Sequence, residues 1–154
     1  MQDEPKIYRT ESQLVATLHV TVSRDEIREV MNPALKELVE AVKQQKVAIT
    51  GPWFTHQFRM NPDVFDFDIG VPVESAIRAD ARVKPGVYPS MKVVETIYHG
   101  DYEGLGEAWE EFLAWIDSRG YSVSEDFYEC YLVGPEHVDD AEQWQTRLTK
   151  PLLD

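Results

Sequence analysis

The sequence predicts an α+β fold in which a strand-helix-strand-strand module is written twice. The expected result is an antiparallel sheet with two helices packed on one face. Three observations predict it. Strand-like and helix-like segments come in the same order in two successive halves, about 12–74 and 88–153, within a single domain expected to span 1–154. An aromatic-polar-aromatic pattern recurs at the matching strand of each half, as Phe54, His56, Phe58 and again as Phe127, Glu129, Tyr131. The chain has 154 residues, 43% of them hydrophobic, which is enough for one sizeable core but too little for two independent halves.

The elements follow in order. Residues 14–22, LVATLHVTV, are apolar and β-branched enough for a strand. Ser23 with Glu26 three residues on has capping-box spacing, and Ile27, Val30, Met31, Leu35, Leu38, Val39 and Val42 then recur on one helical face. Pro33 lies inside that pattern and predicts a kink or a split. After the polar run KQQK and the turn TGP, strands are expected at about 53–60 and 64–71, joined by MNPD, the second closing with GVPV. Residues 74–90, containing KPGVYPS, read as a turn-rich linker. The order then repeats. MKVVETIYH is a strand, and GDYEGLGEAWEEFLAWIDSRG is a helix with Leu105, Ala108, Trp109, Phe112 and Ile116 toward the core and Gly120 as its stop. FYECYLV is a strand, GPEHVDD a loop and EQWQTRLTK the last strand. Aligning Pro62 with Pro135 sets Phe54, His56 and Phe58 opposite Phe127, Glu129 and Tyr131. The two halves are expected to pair into one sheet with a cleft at their seam, a common place for small-molecule sites.

Charge narrows the function. Twenty-eight acidic and fifteen basic residues leave a formal net charge of −13. Such a surface repels phosphate, so direct nucleic-acid binding and anionic-membrane binding are not expected, whereas cationic ligands or a basic protein partner are. Cys130 is the only cysteine, which removes intrachain disulfides and thiolate metal clusters. With no span-length apolar run and no signal-peptide layout at the N-terminus, a cytoplasmic protein is expected. His137, Asp139 and Asp140 have metal-like composition but read as a solvated acidic turn, and no phosphate loop, nucleophile elbow or zinc-binding helix occurs. No metal or cofactor is expected.

Glu129 is the residue that asks for an explanation. Alternation puts it on one strand face between Phe127 and Tyr131, with Tyr128, Cys130 and Leu132 on the other. A carboxylate held between rings costs several kcal/mol unless the face is wet or a cation or donor meets it. In an apolar setting its pKa should rise, making it a cation receptor when ionised and a general acid or base when protonated. Phe54, Phe58, Phe127 and Tyr131 are candidate pocket walls on that face, with Trp53 and Trp109 at the edges, and His56 could tune the carboxylate. Tyr98, Tyr102 and Tyr131 are the possible proton-relay partners, among which sequence does not choose. The alternatives are a solvent-exposed sheet face for Glu129 and ordinary core packing for the rings.

Several segments carry a family resemblance. YHGDYEGLGEAWEEFLAWI (98–116), FYECYLVGP, FDFDIGVPV (65–73) and the terminal WQTRLTKPL resemble, in order, motifs of the GyrI-like small-molecule-binding domain, also known as the effector-binding domain of AraC- and MerR-type multidrug regulators. The likeness spans nearly the whole chain. It implies the tandem fold above and the binding of bulky, often cationic aromatic compounds, with the glutamate matching Glu129 facing the ligand. Some stand-alone members resemble gyrase modulators, and others hydrolyse cyclopropane-containing natural products with this glutamate and a nearby tyrosine. No residues are left for a helix-turn-helix, so a free-standing member is expected. The leading expectation is a binding protein for a lipophilic aromatic cation centred on Glu129. The alternatives are a hydrolase of strained electrophiles using Glu129 and Tyr131, and an acidic protein-interaction module.

Overall fold

The computed structural model describes residues 2–59 and 63–153. The first three residues of the turn expected at MNPD (60–63), among them the alignment anchor Pro62, lie outside the described ones. The elements are β1 (Lys6–Arg9), β2 (Gln13–Ser23), α1 (Ile27–Gln44), β3 (Phe54–Gln57), β4 (Val64–Pro72), β5 (Val83–Tyr88), β6 (Lys92–His99), α2 (Leu105–Ser118), β7 (Phe127–Val133) and β8 (Gln145–Pro151). The chain divides into two compact units: residues 11–90, and residues 1–10 with 91–154. Strand-helix-strand-strand is present twice, as β2-α1-β3-β4 and β6-α2-β7-β8.

In the 11–90 unit the strands run β3-β4-β2-β5, all antiparallel. Ala16, Leu18, Val20 and Val22 of β2 alternate onto one face with Phe67, Ile69 and Val71 of β4. Ala34, Leu38, Ala41 and Val42 of α1, spaced at helical period, close the core over them. Pro33 neither splits the helix nor ends it. It and Glu29, whose carbonyl lacks the usual N–H partner, both lie on the exposed side, where water can take the orphaned acceptor. The capping box is also absent: Ser23 makes no side-chain cap bond, and a 3-10 turn at Arg24–Glu26 leads into the helix instead.

The linker expected at 74–90 contains a strand. β5 pairs with β2 along Gln13↔Tyr88 to Leu18↔Val83 despite carrying Pro85 and Gly86. Proline survives in a sheet only where its missing N–H is not needed, and β5 bonds to β2 alone, at an edge. β1 was not expected either. It is short and fully exposed, and it pairs with β6 from Lys6↔Glu95 to Arg9↔Lys92.

The second unit repeats the order as β7-β8-β6-β1. β5 and β1 therefore play the same part, and each precedes in sequence the first strand of the other unit. Asp101 accepts from Gly104 N–H ahead of α2. At the far end Gly120 takes φ 74° while Tyr121 N–H reaches Ile116 C=O, a left-handed stop of the expected kind. Ala108, Trp109, Phe112 and Ile116 of α2 pack on Val94, Tyr98, Phe127 and Leu148. Among the described residues no helix is long and apolar enough to cross a membrane.

Candidate functional site

Register places the site. Glu129 pairs with Leu148, which pairs with Thr96, and Tyr131 pairs with Thr146, which pairs with Tyr98. Since Phe127, Tyr98 and Leu148 belong to the core under α2, the Phe127-Glu129-Tyr131 face is the one that α2 covers. Two donors meet the carboxylate there. Trp109 Nε1–H donates to Oε2 at 2.6 Å from the helix, and Tyr131 O–H donates to Oε1 at 2.7 Å from the same strand. Among the described residues no lysine, arginine or histidine pairs with it. Burial pushes the Glu129 carboxyl above the usual carboxylate range, and the bonds from Tyr131 and Trp109 pull it back in part. Glu129 is thus a partly buried carboxyl oriented by neutral donors, with no counter-charge among the described residues.

Aromatic rings extend from this centre. Trp109 lies edge-on to Phe127, with centroids 4.7 Å apart. Tyr102, in the turn that leads into α2, contacts Tyr131 edge-on at 5.8 Å and Trp144 at 5.0 Å. Burial, with Glu136 and then Glu129 nearby, pushes the Tyr102 phenol up to about 12. The hydroxyls of Tyr102 and Thr146 are buried with no hydrogen-bond partner among the described residues. Such groups ordinarily bond to something, and unsatisfied ones are uncommon. Tyr98 is core, its phenol raised by burial.

The structure therefore brings together Glu129, Tyr131, Trp109 and Phe127. The residues expected from the first half behave differently. Phe54 pairs with Gly70 and His56 with Asp68, both on the face of β4 turned away from α1, because Phe67 and Ile69 hold the helix side. Thr55 and Gln57, not Phe54 and His56, occupy the helix-side positions, and both are buried. The expected alignment of the halves is off by one residue, and such a slip moves every side chain to the opposite face. His56 and Phe58 join another group instead. His19 meets Asp68 Oδ1 through Nδ1 at 2.9 Å and Asp66 Oδ1 through Nε2 at 2.8 Å, and Phe58 stacks on its ring at 5.7 Å. His56 touches Phe58 edge-on at 4.9 Å. Trp53 packs against the α1 core.

Sequence reasoning missed Trp144, whose indole N–H donates to Val138 C=O within the acidic loop and whose ring meets Tyr102. In the sequence Trp144 reads as part of the last strand and of the terminal WQTRLTKPL motif, but that strand starts only at Gln145, and nothing in the local pattern points from Trp144 to Tyr102. Cys130 faces away from Glu129 as expected, and burial pushes its thiol up to about 11. No group of three or more histidine, cysteine or acidic residues among the described ones is arranged to hold a metal. A groove of about 440 Å³ lies along α1 at Lys36, Glu40 and Gln44 and contains none of the candidate residues.

Comparison with known proteins gives a consistent picture. The family model for the GyrI-like small molecule binding domain matches residues 3–152. No curated protein matches. The crystal structure of the EcmrR C-terminal domain is similar at TM-score 0.85 and 17% identity, covering 98% of each chain. In a cryo-EM complex of EcmrR with DNA, the TM-score is 0.83 at 18% identity, over 97% of this chain but only 57% of that one. SAV2435 bound to tetraphenylphosphonium is similar at TM-score 0.69 and 14% identity, covering 98% of this chain and 94% of that one. A hydrolase from Listeria innocua is similar at 0.70 and 14%, covering 97% and 92%. At these identities the likeness shows the fold.

Proposed function

The chain belongs to the GyrI-like small molecule binding domain family, and from that premise we propose that it binds a lipophilic aromatic cation whose charge lies against Glu129. One observation carries the reading: the Glu129 carboxylate is partly buried, held by two neutral donors and paired with no cation among the described residues. A ligand that brings the missing positive charge with a large apolar body would offset the desolvation of the carboxylate and gain from the neighbouring ring faces. The tetraphenylphosphonium seen on the structurally similar SAV2435 is a ligand of that kind.

The test compares tetraphenylphosphonium with neutral triphenylphosphine oxide by isothermal titration. Glu129→Gln is expected to weaken the cation about tenfold or more, roughly 1.4 kcal/mol per decade, and to leave the neutral compound nearly unchanged. Equal losses for both would remove the carboxylate from the account.

A second reading has an observation of its own. Tyr131 Oη lies 2.7 Å from Glu129, so a carboxyl of raised pKa and a phenol stand side by side. In hydrolysis of a strained electrophile, Glu129 would accept a proton from the attacking water while the Tyr131 O–H protonates the leaving atom. Turnover that vanishes in both Glu129→Gln and Tyr131→Phe would favour this reading over simple binding.

A further inference from the structure

We propose that Glu136 is an outer carboxylate that collects the incoming cation and passes it across the Tyr102 ring toward Glu129. The inference rests on the cation reading above and adds the residue that governs arrival. Three observations carry it.

First, Glu136 and Tyr102 converge. Gly134 is buried between them: a Cβ there would lie 2.6 Å from Tyr102 Oη and 2.9 Å from Glu136 Oε2. The Tyr102 hydroxyl is buried with no partner among the described residues, so it has bonding capacity left at the spot where the carboxylate approaches. The ring behind it contacts Tyr131, whose hydroxyl binds Glu129. Carboxylate, ring, ring, carboxylate is the order of groups leading from Glu136 to Glu129, and an aromatic ring attracts a cation at its face.

Second, no lysine or arginine pairs with Glu136 among the described residues. Its side chain is 48% exposed, and the nearest basic group is His137 Nδ1, 3.5 Å from Oε1. That same nitrogen also lies 3.3 Å from Gly134 N.

Third, the field around this unit is negative. Residues 1–10 and 91–154 carry seventeen acidic side chains against six basic ones, whereas residues 11–90 carry eleven against nine. Nearly all of the net charge thus belongs to the unit that holds Glu129. A one-signed field concentrates counter-ions and speeds their association.

The experiment is stopped-flow tryptophan fluorescence on the full chain with tetraphenylphosphonium. Measurements at about 20 mM and about 500 mM NaCl span weak to strong screening. In Glu136→Gln the association rate at low salt is expected to fall roughly threefold, with the deficit closing at high salt. In Glu129→Gln the loss should appear in the dissociation rate instead, and Glu74→Gln on the other unit should match the wild type. Circular dichroism checks that each variant is folded. An association rate for Glu136→Gln equal to wild type at low salt, or a defect confined to dissociation, overturns the proposal and leaves the cation reading standing. Failure of the wild-type chain to bind tetraphenylphosphonium overturns both.

Discussion

Glu129 has two carboxylate oxygens and two neutral donors, and that balance sets how it titrates. Its folded pKa lies above the ordinary carboxylate value, so between the two the folded state binds more protons than the unfolded one. Stability contributed by the protonated form is present below the unfolded pKa and is lost as pH rises through the folded one. Cation binding should run the opposite way, rising with pH across the same window as the carboxyl ionises. Trp109→Phe keeps an aromatic side chain, smaller than indole, but removes the N–H, and the remaining bond from Tyr131 holds the anion less well. The midpoint of tetraphenylphosphonium binding is expected to move to higher pH, and affinity near neutrality to fall by roughly 1.5–3 kcal/mol, the usual worth of a bond to a charged group. A binding profile unmoved along the pH axis would show that the indole does not tune the carboxylate. Glu129 could be picked out in the sequence because strand alternation set a charge between two rings. Trp109 could be named only as a candidate at the edge of that face; its bond to the carboxylate could not be foreseen, since it joins a helix to a strand twenty residues away and exists only when α2 lies across β7.

Elements were legible where their pattern was periodic. β2, α1, β4, β6, α2 and β7 follow from β-branched runs or helical spacing. β5 and β1 do not, because a four-residue strand and a strand containing Pro-Gly carry the composition of a turn and become strands only by pairing with β2 and β6. Pro33 shows the converse, a local signal overruled. Core contacts of Ala34, Leu38 and Val42 hold the helix through a residue that disfavours it. Pro33→Ala should therefore restore the missing bond to Glu29 and stabilise the protein by as much as about 3 kcal/mol, seen as a higher urea midpoint. A lower midpoint would mean that the ring rigidifies the unfolded chain more than it harms the helix.

At the scale of the whole molecule, the two units share one strand order, and each takes its edge strand from the segment ahead of the other. The N-terminus is for that reason part of the Glu129 unit. Gln2 Nε2 donates to Ala108 C=O at 2.9 Å, beside Trp109, Thr96 Oγ1 donates to Asp3 C=O at 2.6 Å, and His99 meets Asp3 at 2.9 Å. Deleting residues 1–9 should lower Tm by several degrees, each kcal/mol lost being worth roughly 2–4 °C, and should weaken cation binding as the tie to α2 goes. Unchanged binding in the truncated chain would separate the N-terminus from the site. The sequence by itself determined the α+β class, the doubled module, the apolar faces and the singular position of Glu129, because period and polarity are local properties of a chain. Only the tertiary structure decided which donors reach that carboxylate, which face His56 occupies and which unit each edge strand joins. Those depend on register and on contacts between distant segments, where a slip of one residue leaves the composition intact and reverses every side chain.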